Sequence, residues 1–307
     1  MRDHFIKQLT ELADKDKRII LITGDLGFGV LTDYSNNYPQ QYINAGVAEQ
    51  NMTAIATGLG IEGKIAFTYS IGNFCTLRCL EQIRNDACYH NANVNIVSIG
   101  GGFSYGALGY SHHATEDIAI MRALPNIRVF SPGDFWETME VTKAVVKLGG
   151  VNYLRLDKSS AGYTNRKDET FEVGKARILR EGTDMTIIST GGILEIALNA
   201  ADQLSQQGIN CRVLSFHTIK PIDKEAIINA SANTGGIITL EEHTIDGGLG
   251  GAVAEVLMES GVYPKKFKKM GLESQFSTIV GSQSYLRTKY ALDEVALISN
   301  IKFLLNN

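Results

Sequence analysis

Short runs of β-branched and aliphatic residues alternate along this chain with longer stretches whose apolar positions recur every three to four residues. That alternation is the pattern of a parallel sheet flanked by helices. It predicts strands at 18–23, 64–68, 93–99, 126–130 and 152–156, and helices at 48–59, 74–89, 115–124 and 134–147. The last two helices each open on a residue able to cap. Segment 157–170 has no core-forming period and reads as a domain boundary. Beyond it the alternation resumes, with strands predicted at 185–190, 210–215 and 236–241 and helices starting near Ile193, Asp223 and Leu249. Gly191-Gly192 and Gly247-Gly248 fall at strand-to-helix turns, where the chain reverses tightly at the carboxyl edge of a sheet. The pattern therefore predicts an α/β protein of two domains, 1–160 and 171–307.

At 307 residues, 44% hydrophobic and 20% charged, the chain can bury two ordinary globular cores. A net charge of -4 supplies no basic surface for nucleic acid or anionic lipid, which leaves small polar molecules as natural partners. Cys75 and Cys79 lie one helical turn apart, but no second pair stands at finger-like spacing. Together with Cys88 and Cys211 they read as core residues. The amino-terminal Met-Arg-Asp-His-Phe-Ile-Lys has no signal-type apolar region, and no apolar run approaches the ~20 residues of a membrane helix. A cytoplasmic protein is expected.

The segment Asn44-Ala-Gly-Val-Ala-Glu-Gln-Asn-Met52 places one carboxylate, Glu49, where a glycine-marked loop turns into an apolar helix. A side chain fixed at a helix entrance can be aimed at a ligand, which proton chemistry requires. The plainer reading is a first-turn glutamate that interacts with the helix dipole. Gly24-Asp-Leu-Gly-Phe-Gly29 lacks the full dinucleotide-binding fingerprint and the acid that should follow it.

Taken with Phe67-Thr-Tyr-Ser-Ile-Gly-Asn-Phe74, Glu81-Gln-Ile-Arg-Asn-Asp86 and the run from Ser111-His-His-Ala-Thr-Glu-Asp117 to Asn126, the Glu49 segment resembles the transketolase family of thiamine diphosphate enzymes. Phe216-His-Thr-Ile-Lys-Pro221 and Glu241-Glu-His-Thr-Ile-Asp-Gly-Gly-Leu-Gly250 extend the resemblance into the second half. It covers the family's pyrimidine-binding and C-terminal domains and implies two three-layer α/β/α units, the first with a mostly parallel sheet.

The resemblance gives Glu49 the role of the acid that hydrogen-bonds the cofactor's aminopyrimidine, so that its imino tautomer can take the thiazolium proton. Aromatic and aliphatic surroundings are expected to favour the neutral acid. Phe74 falls where the family stacks an aromatic on the pyrimidine, and Phe67 is expected to line the same pocket. Ile71 replaces a further aromatic that is common in the family. His112 matches a histidine aimed at the substrate-bearing carbon, with His113 where relatives commonly carry glutamine. Asp25 matches an acid near the cofactor where two subunits meet, while Arg155 and Lys158 match a region that binds substrate phosphate. His217 and His243 read as structural or interface residues.

Two departures from the family pattern refine this picture. Gly24-Asp25-Leu26 is not the Gly-Asp-Gly block that, with a later asparagine, holds Mg²⁺ and the diphosphate. The resemblance therefore implies a split enzyme, in which an N-terminal transketolase-like subunit carries the diphosphate and Mg²⁺ and the two chains form an α2β2 assembly. Secondly, Ser98 to His112 lacks the histidine near Gly100 and the acid near Leu108 that read hydroxyl groups of the donor sugar, so substrate choice should change. The expected activity is transfer of a two-carbon ketol unit from a ketose or ketose phosphate to an aldehyde. The alternatives are a β-type subunit of a 2-oxoacid decarboxylating enzyme, a deoxyxylulose-phosphate-synthase-like ligase of pyruvate, or a scaffold without catalysis.

Overall fold

In the computed structural model, which describes residues 1–306, the first half contributes β1 (Ile19–Thr23), β2 (Tyr42–Asn44), β3 (Ile65–Ile71), β4 (Val94–Ile99), β5 (Ile127–Phe130) and β6 (Val151–Leu156). Its helices are α1 (Arg2–Lys15), α2 (Thr32–Asn37), α3 (Glu49–Ile61), α4 (Gly72–Cys75), α5 (Leu80–Gln82), α6 (Asp117–Ala123) and α7 (Phe135–Leu148). The second half contributes β7 (Arg177–Arg180), β8 (Met185–Ser189), β9 (Cys211–Ser215), β10 (Thr218–Lys220), β11 (Ile237–Thr244) and β12 (Phe267–Leu272). With them come α8 (Leu194–Ser205), α9 (Lys224–Asn233), α10 (Leu249–Ser260), α11 (Gln283–Lys289) and α12 (Glu294–Asn306).

These strands form two sheets, a seven-stranded one ordered β10-β5-β6-β4-β3-β1-β2 and a five-stranded one ordered β12-β11-β8-β9-β7. Every pairing is parallel except β10 with β5 and β7 with β9. Parallel strands covered on both faces must be apolar throughout, and Ile19-Ile-Leu-Ile of β1 is buried at each position. Because strand side chains alternate, Ile19 and Leu21 pack with Phe5 and Leu9 of α1 and Val141 of α7, whereas Ile20 and Ile22 meet Met52 and Ala56 of α3. The second sheet is sandwiched the same way, by α8 and α12 on one face and α9 and α10 on the other. Both units are three-layered. The four cysteines are all buried and free.

The structure departs from the pattern reading in several places. The single helix predicted at 74–89 is three pieces: α4, α5 and a π-helical turn over Ile83–Cys88. Side chains compete for the backbone here, with the Thr76 hydroxyl donating to the Gly72 carbonyl at 2.7 Å and the Cys79 thiol to the Phe74 carbonyl at 3.2 Å. The helix predicted from Thr115 starts at Asp117, preceded by Glu116 without a side-chain cap, whereas Asp134 does cap α7 by accepting from Glu137 N. Helix α1 lay outside the prediction because its Phe5, Leu9 and Ala13 stripe is diluted by charge. Strands β2, β7, β10 and β12 and helices α11 and α12 were also not anticipated.

The halves interlock. Strand β10, from the second half, completes the first sheet, and Arg177 of β7 pairs with Asp134 at 2.9 Å and Glu137 at 2.7 Å beside α7. Segment 157–170 is tied to the start of α7, with Ala161 N donating to Gly133 O and Phe135 N to Gly162 O.

Candidate active site

Glu49 opens α3 without capping it; the N-cap is Ala48, and no side chain bonds the helix there. Its carboxylate is thus free for other partners, yet the residue is 3% exposed. The glycine turn after β1 packs against it, so that a Cβ on Gly24 would sit 3.4 Å from Glu49 Cγ. The Glu49 side chain receives Arg78 Nη1 at 2.8 Å, in place of purely aromatic and aliphatic surroundings. Arg78 also lies 4.5 Å over the Phe74 ring, and Phe74 meets His112 edge-on at 5.1 Å between centroids. Glu49, Arg78, Phe74 and His112 therefore form one continuous line of contacts. Arg78 was missed because an unbroken helix over 74–89 gave no reason to turn it toward Glu49. Its place four residues after an aromatic was the available signal.

His112 sits in the long loop between β4 and α6. Asn73 of α4 holds this loop by donating to Ser111 O at 3.2 Å and His113 O at 2.9 Å. His112 Nδ1 lies 3.0 Å from the Ser111 hydroxyl. Burial first, then the neighbouring His113, lower the His112 pKa from its ordinary value. Next to Phe74 and Arg78 a cavity of about 340 Å³ opens between the two halves, lined also by His113, Glu116 and Phe276.

Phe67 does not join this group. It belongs to the strand face opposite α3, where it packs 6.1 Å from the Phe5 ring at zero exposure. Arg155 is also sequestered: at 1% exposure it bonds Asp117 at 2.9 Å and the carbonyls of Ala114 and Glu242. Burial opposes its charge, but Asp117 and Asp157 hold its pKa above the ordinary arginine value. Lys158 is exposed, with Nζ 3.9 Å over the Tyr105 ring, and Tyr105 in turn faces His112 at 6.3 Å. The same tyrosine fills the space beside Gly100, where an added Cβ would lie 2.3 Å from its ring and φ is +91°. Asp25 is exposed at φ +56° and exchanges two hydrogen bonds with Asn44, both of 3.0 Å, one residue from the Gly24 contact with Glu49.

The outlying histidines are internal. His217 is 1% exposed against Phe171, and His243 accepts from Ala119 N at 3.3 Å across the two halves. Among the described residues no three His, Cys, Asp or Glu converge in a metal-binding arrangement, and no helix is long and apolar enough to cross a membrane.

Comparison with known proteins adds a second line of evidence. Residues 1–163 match the family "Transketolase, pyrimidine binding domain" and residues 174–294 the family "Transketolase, C-terminal domain". A "Putative transketolase C-terminal section" from Methanocaldococcus jannaschii is 39% identical over 98% of this chain and 95% of its own length. An apulose-4-phosphate transketolase subunit from Phocaeicola vulgatus is 37% identical, covering 95% of this chain and 93% of that one. A 6-deoxy-6-sulfo-D-fructose transketolase subunit from Clostridium sp. is 36% identical over 95% and 90%. Among solved structures, one described as "Split gene transketolase, inactive beta4 tetramer" superposes with a TM-score of 0.90 at 36% identity, covering 99% of this chain and 98% of that one.

Proposed function

The chain belongs to the transketolase family, and on that basis we propose that it is one subunit of a heteromeric, thiamine diphosphate-dependent enzyme that transfers a two-carbon ketol unit from a ketose donor to an aldehyde acceptor. The observation that supports this most is the line of contacts Glu49–Arg78–Phe74–His112, whose two middle members, Arg78 and Phe74, line the cleft. Residues 1–160 are the pyrimidine-binding part of the subunit and residues 171–307 its C-terminal part.

Thiamine diphosphate, when bound, supplies a nucleophilic thiazolium carbon. Glu49 is the acid that would hold a proton at the pyrimidine ring nitrogen, and Phe74 offers its face to the same ring. Their environment fits a flat heterocycle bearing a hydrogen-bonding nitrogen, because the flat Arg78 guanidinium already makes both contacts, over Phe74 and to Glu49. The Arg78 side chain is 48% exposed and would have to swing aside for the ring to take its place. In the tautomer in which the Ser111 hydroxyl donates to Nδ1, His112 would carry its proton on Nε2, where it could be given to a substrate oxygen. Asp25 stands at the rim of this site.

Lys158, exposed over the Tyr105 ring, is the candidate to meet an anionic group on the sugar, a role that the buried Arg155 leaves open. Apulose 4-phosphate and 6-deoxy-6-sulfo-D-fructose, in the names of two relatives, both carry such a group. Tyr105 in the space beside Gly100 gives the donor pocket a different wall from one built on a histidine. The diphosphate and Mg²⁺ fall to a separate N-terminal-type subunit, in an α2β2 assembly in the cytoplasm. Phe28 and Val47, 82% and 76% exposed on the loops flanking Glu49, offer the apolar surface that such a partner would cover.

The test is reconstitution with an N-terminal-type subunit, followed by product analysis with a ketose phosphate, a ketose sulfonate and pyruvate. Ketol transfer without release of carbon dioxide is expected. Decarboxylation of pyruvate as the main reaction would place the pair in a 2-oxoacid class instead.

A further inference from the structure

The loop that carries His112, residues 100–116, contains Gly100, Gly101, Gly102, Gly106 and Gly109. So many glycines give a segment wide conformational freedom unless something outside it holds it. A group that must meet a reacting atom within about 0.5 Å needs that support.

The support comes from the second half of the chain. Phe103, 1% exposed, joins the core that α8, α11 and α12 build on the second sheet and stacks on Tyr290 at 5.3 Å. Its backbone N–H donates to Glu242 Oε1 at 2.5 Å. Glu242, on β11 and 1% exposed, also receives Gln283 Nε2 at 3.0 and 3.1 Å and the Arg287 guanidinium. Arg287 reaches on to the Ser159 hydroxyl at 2.8 Å. The approach is close enough to dictate sequence, since a Cβ on Gly102 would stand 2.6 Å from the Glu242 side chain and one on Gly106 would stand 2.5 Å from Leu286. From Phe103 the contact passes edge-on to His113 at 5.0 Å, whose Nε2 bonds Gly106 O at 3.1 Å. His113 is the backbone neighbour of His112.

We propose that Glu242, clamped by Arg287 and Gln283, is a positioning residue for His112, and that the second half of the chain holds the 100–116 loop in the geometry used for catalysis. Glu242 acts through the backbone of Phe103 and touches no substrate. The inference rests on the ketol-transfer reading of His112.

Two measurements test it. Peptide-resolved hydrogen exchange on the isolated chain compares wild type with Glu242→Gln, Arg287→Lys and the milder Gln283→Ala. Turnover and cofactor binding are then measured in the reconstituted pair. In Glu242→Gln, exchange across 100–116 should rise roughly tenfold or more while α1 and α3 keep their protection. Misplacing His112 should lower kcat on the order of 10²-fold and leave the thiamine diphosphate dissociation constant and the donor KM within about twofold. Arg287→Lys and Gln283→Ala should show the same pattern in smaller degree, and they carry the test if Glu242→Gln does not fold.

Unchanged exchange in 100–116 would overturn the anchor. A loosened loop with unaltered kcat would overturn the positioning role. An inactive wild-type pair would overturn the ketol-transfer reading and the role of His112 with it, whereas the exchange measurement needs no partner and decides the anchor separately.

Discussion

Replacing the Glu49 carboxyl by an amide keeps its volume and its hydrogen bond to Arg78 but removes the proton it can share with a ring nitrogen. Glu49→Gln should therefore fold with a melting temperature close to wild type, while exchange of the thiazolium proton in the assembled enzyme slows by roughly 10²–10⁴-fold. Proton exchange followed by NMR checks this. A second prediction concerns His217, whose pKa is pushed down to about 3 by burial and then by Arg177. In the unfolded chain the imidazole titrates near ~6.5, so between these values the unfolded state binds the extra proton and stability is lost as pH falls. From pH 7 to 5 this one group should cost about 2 kcal/mol. Urea unfolding of His217→Asn should show a correspondingly smaller loss over the same interval. That Glu49, Phe74 and His112 lie close together was legible in the sequence because each lies in a short ordered block. Arg155 was legible as a cation at a strand end but not as a buried one, because the Glu242 carbonyl that covers it comes from the other half of the chain.

At the scale of elements, the break in the 74–89 segment aims the site. Ending α4 at Cys75 lets Arg78 turn back across Phe74, while Asn73 ties the same helix to the His112 loop. Apolar periodicity could not reveal this, since the buried Cys75, Cys79, Ile83 and Ala87 recur every fourth residue as they would in one continuous helix. Gly72 sits at the crossing, where an added Cβ would lie 2.6 Å from Ala114 Cβ. Gly72→Ala should destabilise the chain by about 1–3 kcal/mol through overpacking. Chemical denaturation checks that cost, and protease sensitivity should rise first within 100–116. Strand β10 shows a different limit, because Thr218-Ile-Lys220 is too short to register as a strand and its partner β5 belongs to the other half.

For the whole molecule, the alternation of strand and helix revealed the α/β class, but not that the halves share a strand, an ion-pair cluster around Arg177 and the anchored loop. Those are long-range pairings of residues that look ordinary in isolation. At this scale the proposed function requires one chain to supply the proton-handling end of a site whose diphosphate end belongs to another. Calorimetric titration of thiamine diphosphate with Mg²⁺ into the purified chain, into an N-terminal-type subunit and into their mixture, with ketol transfer measured on the same samples, tests this most directly. The account predicts turnover only in the mixture, with the cofactor bound there at least ~10²-fold more tightly than by this chain alone, the scale of about 2.7 kcal/mol. Tight binding and full turnover by the isolated chain would contradict it.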